Sequence, residues 1–468
     1  MDNAKKCQAV VLSGFFGLAR RRFGRGKDNI WLVCDMGFGE MPLFDMGGCG
    51  GWRSLQARQQ KAQNMTQTAK GRATSPDAPS AGFAQSEYRA RVAALQARMA
   101  QSGMDVLLLT TAADFYYVAG FLTRFWESPA RPWFLCVPAS GDPVAVIPAI
   151  GAELMGRGWI EDIRTWDAPF PGDDGVSLLA DTLRELSATS PAPRVGLPMG
   201  LETQLRMPIG DYLRLTAMIA PARCVDATDV VQRVREIKSE AEIAKIRAAC
   251  GVADRAFARV GEYACPGARL DEVFRCFQMS LLEEGADWVS YTAGGAGPGG
   301  YGDVISPADD RRLAPGDVLM LDTGAVLDGY FCDFDRNYAI SHVAKDTAAA
   351  QAALMAATDH VLGHLRPGHL ACDVHRMFAE QLRAQGAVPG GGRLGHGLGL
   401  TLTEWPSFTP HDKTELRAGM VLTLEPGVEI TPGRCLVHEE NIVLRESGPE
   451  LLSSRAPRDL PILSGSAT

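Results

Sequence analysis

The sequence predicts an α+β protein with two ordered domains, and three observations lead to this prediction. Short apolar strand patterns alternate with helical patterns between residues 82 and 232, as in an α/β domain. From residue 233 to residue 468, long helical patterns are separated from strands that pair as antiparallel hairpins. Residues 1–81 have no sustained periodicity and are rich in Gly, Gln and Ser, which is typical of a poorly ordered tail.

Composition and charge narrow the class of protein. With 468 residues, 46% of them hydrophobic, the chain can bury a large core. The net charge is -8 and no Lys/Arg-rich run follows the N-terminal segment, which argues against a nucleic-acid or membrane partner. The apolar segment 9–19 precedes three arginines and has no small-residue cleavage site, so we do not expect a signal peptide. The eleven cysteines form no C-x-x-C pair, and we expect reduced thiols and a cytoplasmic location.

The first domain begins with a helix whose buried stripe is Tyr88, Val92, Leu95 and Met99, and Gly103 is placed to end it. Strands are predicted at 105–111, at 194–198 and as a pair within 132–148.

The second domain opens with a long helix. Ser239 and Glu242 form a capping box, and Ile243, Ile246 and Cys250 begin its buried stripe. Further helices are predicted at 268–284, 346–365 and 371–385, and strands at 317–325, 330–340, 420–430 and 435–444.

One hairpin carries an unusual density of negative charge. The stretch "LMLDTGAVLDGYFCDFDRNYAI" has a two-residue turn signal at Asp328-Gly329, which pairs Asp322 with Asp335 and places Asp333 opposite Gly324. All three carboxylates then point to one side of the ribbon. A solvated face is the alternative, but the surrounding residues are apolar, and buried like charges need a cation between them.

The same chemistry recurs downstream. His396 lies in the glycine-lined stretch "GRLGHGLGL", Glu425 ends an apolar strand, and Glu440 lies inside another. Together with the hairpin they form an oxygen-rich ligand set with one imidazole and no thiolate. Such a set suits two divalent ions such as Mn, Co, Fe or Zn.

These motifs resemble a known family. D-x(10)-D, G-H-G-x-G, L-E-P-G and a final E-[DN] follow in the order found in the pita-bread metallohydrolases, the M24 group that includes Xaa-Pro aminopeptidases, prolidase and creatinase. The segments "EYRARVAALQARM" and "VREIKSEAEIAKIRAA" are similar to the N-terminal domain and inter-domain segment of the creatinase branch. The resemblance implies a creatinase-like N-terminal domain, a pita-bread catalytic domain over 233–468 and a homodimer.

The resemblance also assigns roles. Asp322 would bind one metal, Asp333 would bridge to the second, His396 and Glu425 would complete the site, and Glu440 would bridge both. The metals, with Mn expected first, would activate a shared water. Glu425 would take its proton, and the product would be a hydrolysed C-N amide or peptide bond in a small substrate, as in an Xaa-Pro aminopeptidase or dipeptidase.

Two departures keep other reactions open. The family's peptidases have two auxiliary histidines where this chain has Ile305 and Thr403, and an arginine often precedes the last glutamate where this chain reads His438-Glu439-Glu440. Creatinase-like or ectoine-hydrolase-like amide cleavage therefore remains an alternative. Dimethylsulfoniopropionate lysis is another, although the lyase's extra aspartate corresponds to Gly324. A non-catalytic binding module is a further alternative, which the full ligand set disfavours.

Residues for substrate contact follow from position alone. The candidates are Tyr301, Asp335, Arg336, Thr403, Trp405 and His411, with His411 or His438 as possible substitutes for the missing histidines. The stretch "GAGPGG" (295–300) fits G-x-G-x-x-G, but it contains Pro298 and precedes "DVISPADD" where a dinucleotide site needs a helix. We expect it to be a loop that leaves room for substrate.

Overall fold

The computed structural model describes residue 79, residues 81–128 and 131–465, and two short upstream strands, β1 (Arg22–Arg25) and β2 (Ile30–Val33). The upstream strands pair antiparallel. The chain divides into two compact units, Met1–Asp77 and Ala78–Thr468, and the domains below both belong to the second. The tail predicted over 1–81 lies almost wholly outside the described residues. Within the described part of the chain, no helix has the length and hydropathy to cross a membrane.

The first domain is an α/β layer structure. Its elements in chain order are α1 (Gln85–Ser102), β3 (Val106–Leu109), α2 (Ala112–Ala119), β4 (Phe134–Pro138), β5 (Val144–Pro148), α3 (Ala152–Met155), β6 (Asp162–Trp166), α4 (Val176–Leu186), β7 (Arg194–Leu197), α5 (Ile209–Met218), β8 (Arg223–Asp226) and α6 (Thr228–Arg235). The strands form a mixed six-stranded sheet in the order β6-β5-β4-β3-β7-β8. The strands predicted from the sequence are all present, and β6 and β8 are additional strands of lower burial.

Helix α1 has the predicted buried face and the predicted end. Tyr88, Val92, Leu95 and Met99 are buried. Gly103 adopts φ 64 and its N–H bonds back to the last turn, which is the left-handed termination that glycine allows without strain.

The second domain consists of helices packed against mainly antiparallel sheets. Its elements are α7 (Glu240–Ala258), α8 (Leu270–Glu283), β9 (Trp288–Pro298), β10 (Asp317–Leu327), β11 (Tyr330–Phe331), β12 (Phe334–Ile340), α9 (Lys345–His364), α10 (Ala371–Ala384), β13 (Val388–Pro389), β14 (Gly395–Gly397), β15 (Glu404–Ser407), β16 (Val421–Leu424), β17 (Gly427–Thr431), β18 (Arg434–Val437), β19 (Glu440–Arg445), β20 (Gly448–Leu451) and β21 (Ile462–Leu463). The predicted capping box of α7 is confirmed, since the side chains of Ser239 and Glu242 each bond the other's backbone N–H.

Two sheets of this domain meet at the candidate site. In the first sheet, β12 and β11 pair in turn with one edge of β10, β9 pairs with the opposite edge, and β21 pairs with β12. The second sheet has the order β15-β14-β16-β19-β20. Asn441 on β19 accepts from the Asp333 N–H at 2.9 Å and donates to the Asp333 carbonyl at 2.5 Å. Thr423 on β16 donates to the same carbonyl at 3.2 Å. The backbone of Asp333 is therefore held to two adjacent inner strands of the second sheet, β16 and β19.

The stretch "GAGPGG" lies largely on β9 rather than in a loop, which corrects the expectation from the sequence. Strand β9 pairs with β10 along its length. Gly294 has φ 125, and a Cβ there would collide with the carbonyl of Met320. Gly294 precedes this stretch and allows close approach of the β10 backbone. Within the stretch, a Cβ at Gly295 or Gly297 would collide with the carbonyl of Asp303 or of Gly300, so these glycines leave room for neighbouring backbone.

Candidate metal centre

The acidic hairpin has the register that the sequence predicts. Asp322 pairs with Asp335, and the Cys332 N–H bonds to the Ala325 carbonyl, which continues the same pairing toward the turn. Asp328 and Gly329 have φ values of 48 and 81, as a two-residue hairpin turn with both central residues left-handed requires. The turn therefore sets the pairing that brings Asp322 and Asp333 to one side of the ribbon.

Three carboxylates converge at this point. Oxygens of Asp322, Asp333 and Glu439 all lie within 4.8 Å of one another. Tyr291 on β9 donates its hydroxyl toward two of them, at 2.9 Å from Asp322 Oδ2 and 2.6 Å from Asp333 Oδ1. The sequence analysis does not identify Glu439 or Tyr291 as site residues. The strand-like stretch "WVSYTAG" is the pattern that could have indicated Tyr291, but the glycines that follow it weaken the strand prediction.

His396 and Glu425 extend the cluster, as predicted. His396 Nε2 lies 3.2 Å from Asp333 Oδ2 and 3.6 Å from Glu425 Oε2. The other ring nitrogen, Nδ1, is 2.8 Å from the Gly397 carbonyl, an acceptor that places a proton on Nδ1 and aims Nε2 at the carboxylates. Strand β14 sets this geometry, because His396 pairs with Thr423 on β16.

Glu440 does not join the cluster, which corrects the ligand predicted from the sequence. Its carboxylate is buried on the opposite side of the chain, where Arg336, Arg455, Ser453 and the Ala456 N–H donate to it. Adjacent residues of an extended chain point to opposite faces, so only one of two consecutive glutamates can face the hairpin. Glu439, the residue before β19, is the one that does.

The cluster has the properties of a cation site. Asp322 Oδ1 and Glu439 Oε2 are buried, and among the described residues neither has a hydrogen-bond partner. Burial, followed by the charges of Asp333 and Asp335, raises the pKa of Asp322 well above its ordinary value. Burial and the charges of Asp322 and Asp335 likewise raise the pKa of Glu439 well above its ordinary value. Buried acceptor oxygens of this kind are stabilised by a divalent ion, so the residues present fit a metal centre.

The pKa values of Glu425 and His396 reflect the same surroundings. The pKa of Glu425 is raised overall. Burial and the charge of Asp333 raise it, and the charge of His396 opposes them. Burial lowers the pKa of His396, but its hydrogen bond to Asp333 and the charge of Glu425 outweigh that effect, so the pKa is raised overall.

Asp335, predicted as a substrate contact, lies behind the cluster. It is fully buried, accepts from the Glu439 N–H at 2.7 Å and from the Asn337 side chain at 2.7 Å. Burial raises the pKa of Asp335 to about 7 against the opposing charge of Arg336. Its observed role is to hold the backbone of Glu439 in place.

Arg336, Tyr301 and His411 are also not brought to the cluster as substrate contacts. Arg336 is buried and donates to the Glu439 carbonyl at 2.9 Å and to Glu440 at 3.1 Å. Tyr301 is 1% exposed, and its hydroxyl accepts from the Val437 N–H at 2.7 Å. His411 is exposed.

The two positions that lack the family's auxiliary histidines differ in their exposure to solvent. Ile305 is 86% exposed, whereas Thr403 is partly buried and accepts from Arg393 Nη2 at 3.2 Å. His438 does not substitute for either histidine: it is buried beside Arg455 and Glu440, and burial lowers its pKa to about 3. All eight histidines lie among the described residues, and His396 is the one in the cluster.

A cleft of about 380 Å³ lies between the two domains next to Thr403. Thr403 and Trp405 line it from the second domain, and Trp126 and Glu202 line it from the first. Thr403 connects the cleft to the cluster, because Arg393 bonds both Thr403 and Glu425. Thr403 and Trp405 are therefore the predicted substrate residues that lie where a substrate can reach them.

Fold and site together define a two-domain hydrolase with a carboxylate-rich centre suited to divalent metal. Residues 244–446 match metallopeptidase family M24, and residues 91–237 match the creatinase/prolidase N-terminal domain. The chain belongs to metallopeptidase family M24.

Similar proteins agree with this assignment. The probable dipeptidase PepE of Mycobacterium tuberculosis is 29% identical over 380 residues, which are 80% of this chain and 96% of that protein. An Xaa-Pro dipeptidase of Pyrococcus horikoshii is 28% identical over 361 residues, 76% of this chain and 94% of that protein. Among solved structures, dipeptidase PepE of Mycobacterium ulcerans aligns with a TM-score of 0.70 at 28% identity, covering 82% of this chain and 100% of that one. A prolidase of Thermococcus sibiricus shares the fold, with a TM-score of 0.71 at 24% identity over 80% of this chain and 99% of that one.

Proposed function

We propose that this protein is a dinuclear-metal-dependent hydrolase that cleaves the C-N bond of a dipeptide, in the manner of an Xaa-Pro dipeptidase. The observation that carries the proposal is the cluster itself. In it, buried oxygens of Asp322 and Glu439 have no hydrogen-bond partner in the described part of the chain, and they lie beside Asp333, His396 and Glu425. The names of the relatives, dipeptidase and Xaa-Pro dipeptidase, support the substrate class.

The proposed metal ligands are Asp322, Asp333, His396, Glu425 and Glu439. Carboxylate oxygens with a single imidazole suit Mn first, with Co, Fe or Zn as further candidates. A pair of such ions supplies an activated water and polarises the scissile carbonyl.

Glu425 is the proposed general base. Its Oε1 accepts from Arg393 at 3.2 Å, and its Oε2 faces His396 and the interior of the cluster. Since burial raises its pKa, Glu425 holds a proton more readily than an exposed carboxylate does. It takes a proton from the attacking water at Oε2 and returns it to the leaving amine nitrogen. Glu425 therefore acts first as base and then as acid.

Hydrolysis of a non-peptide amide is the second candidate, and a specific observation favours it. No histidine other than His396 is near the cluster among the described residues, and the equivalent positions are Ile305 and Thr403. A peptidase of this type needs another donor for the carbonyl oxygen, whereas a creatinase-like or ectoine-hydrolase-like substrate has a different arrangement of charges.

A substrate screen separates these candidates. Protein loaded with Mn, Co or Zn is assayed against Xaa-Pro dipeptides, Xaa-Pro tripeptides, creatine and ectoine, with Asp333→Ala as the inactive control. Turnover of dipeptides alone supports the proposal, and turnover of creatine or ectoine alone supports the second candidate. A protein that retains no metal after reconstitution contradicts both.

The homodimer and the cytoplasmic location stay proposals. Light scattering of the purified protein tests the homodimer.

A further inference from the structure

Glu404 on β15 carries a buried carboxylate that binds two cations and two backbone N–H groups. Arg235 donates to Oε1, and Lys238 donates to Oε2 at 3.0 Å. The N–H groups of Leu400 and Thr401 donate to Oε1 at 3.0 Å and 3.2 Å. Residues 400–403, the Glu404 loop, are therefore folded around this carboxylate.

The Glu404 loop lies against the acidic hairpin. The carbonyl of Gly399, just before the loop, accepts from the Phe331 N–H on β11 at 2.9 Å. A Cβ on Gly324 of β10 would lie 2.9 Å from Leu402 Cδ1 and 2.6 Å from the ring of Tyr291. Gly324 thus leaves the space that Leu402 and Tyr291 share, and the Tyr291 hydroxyl bonds both hairpin aspartates of the cluster.

The other end of the loop contacts the opposite part of the site. Thr403 accepts from Arg393 Nη2 at 3.2 Å, and Nε of the same guanidinium group lies 3.2 Å from Glu425 Oε1. Thr403 also lines the inter-domain cleft, next to Trp405. The loop that Glu404 holds therefore connects the hairpin, the proposed base and the cleft.

The carboxylate of Glu404 is tied to the first domain as well. Arg235 Nη1 lies 2.8 Å from Asp114 Oδ1 on α2, so one guanidinium group joins the carboxylates of both domains. Lys238 is buried, and it completes a set of two cations and two carboxylates. Because the four charges balance and are shielded from water, removal of one leaves an uncompensated buried charge. The position of the Glu404 loop is thereby coupled to the docking of the first domain.

We propose that Glu404 is a positioning residue, which holds the Glu404 loop in the geometry that substrate binding requires and couples it to the first domain through Arg235 and Asp114. The proposal rests on the proposed function, since the loop contributes Thr403 to the cleft beside the proposed base. Glu404 acts through the loop. A displacement of about 1 Å by a change remote from the reacting atoms can lower the rate by about 100-fold.

The kinetic test separates positioning from stability. Glu404→Gln keeps the shape of the side chain and removes its charge. We expect it to raise KM for Leu-Pro by about 10-fold or more, with the bound Mn unchanged, and Glu404→Asp to restore part of the loss. A variant that is only less stable contains less folded enzyme, so its apparent kcat falls and its KM stays the same. That result overturns the proposal.

Glu236→Gln is the matched control. Glu236 is buried in the same inter-domain segment and pairs with Arg233 and Arg417, which lie outside the Glu404 loop. We expect this variant to lose stability while KM stays at the wild-type value. An equal rise in KM for Glu236→Gln and Glu404→Gln overturns the proposal.

Asp114→Asn tests the coupling to the first domain. It leaves Arg235 and Lys238 in place on Glu404 and removes the carboxylate of the first domain. We expect KM to rise in the same direction as in Glu404→Gln, by a smaller factor. An unchanged KM overturns the coupling.

Hydrogen exchange of the Mn-loaded protein distinguishes this proposal from the proposed function, because it needs no substrate. We expect the amides of Leu400 and Thr401 to lose protection in Glu404→Gln and to keep it in Glu236→Gln. If the protein hydrolyses no dipeptide but shows this difference, the proposed function fails and the positioning role stands. If it hydrolyses dipeptides and both variants protect these amides equally, the positioning role fails alone.

Discussion

Glu439 and Glu440 are neighbours in the chain, yet their carboxylates lie in opposite environments. Glu439 faces Asp322 and Asp333, and its Oε2 is buried without a hydrogen-bond partner among the described residues. Glu440 is bonded to Arg336 at 3.1 Å and to Arg455 at 3.0 Å. The charge of Arg336 lowers the pKa of Glu440 despite its burial. One glutamate is therefore left for a cation, and the other is already neutralised by the protein.

This pair gives matched variants. We expect Glu439→Gln to lose bound metal and to lower activity by about 100-fold or more, because a ligand is removed, while the fold is retained. We expect Glu440→Gln to destabilise the protein by about 3 kcal/mol, since the buried Arg336 and the partly buried Arg455 both lose a carboxylate partner. Metal analysis and urea unfolding measure the two effects. Metal loss in Glu440→Gln at wild-type stability would contradict the assignment.

Metal binding should stabilise the protein. Addition of Mn to metal-free protein at about 100 times the dissociation constant is expected to add about 2.7 kcal/mol to the free energy of unfolding. Asp322→Asn removes a ligand whose Oδ1 is unpaired in the described structure, so the increase should disappear in that variant. Thermal unfolding with and without chelator tests this. An equal rise in Tm for wild type and Asp322→Asn would show that Mn binds elsewhere.

Tyr291→Phe removes the hydroxyl that bonds Asp322 and Asp333. We expect metal affinity to fall by about 10- to 100-fold, because the bond orients two ligands, with little change in the secondary structure. Titration of metal-free protein with Mn gives the affinity, and circular dichroism serves as the check on folding. An unchanged affinity for Mn would show that the Tyr291 hydroxyl does not orient the metal ligands.

Stability in acid should depend on Glu404. Arg235 and Lys238 outweigh the effect of burial and lower the pKa of Glu404 to about 2. A carboxyl group whose pKa is depressed by folding stabilises the protein above its unfolded pKa of about 4.3, and the effect is lost as pH falls through the folded value. The expected contribution at neutral pH is roughly 3 kcal/mol.

The test compares wild type with Glu404→Gln by urea unfolding over a range of pH. The difference between the two proteins should be largest above about pH 5 and should shrink toward about pH 2. A difference that stays constant with pH would show that packing, rather than charge, is what the variant loses.

The acidic hairpin could be predicted from the sequence because its determinants are local. The turn residues Asp328 and Gly329 adopt the left-handed backbone that they favour, and strand alternation then sets which aspartates share a face. The helix limits at Gly103 and Ser239 followed from local capping chemistry in the same way.

The choice between Glu439 and Glu440, the position of Tyr291 and the contacts of Arg393 depended on tertiary structure. Two consecutive glutamates are equivalent in a local pattern, and the long-range contact of Asp335 with the Glu439 N–H sets which of them faces the hairpin. Tyr291 reaches the cluster from β9, and Glu202 reaches Arg393 from the first domain. Local periodicity determines which side chains share a face, but the partner of that face is decided only when separate segments pack together.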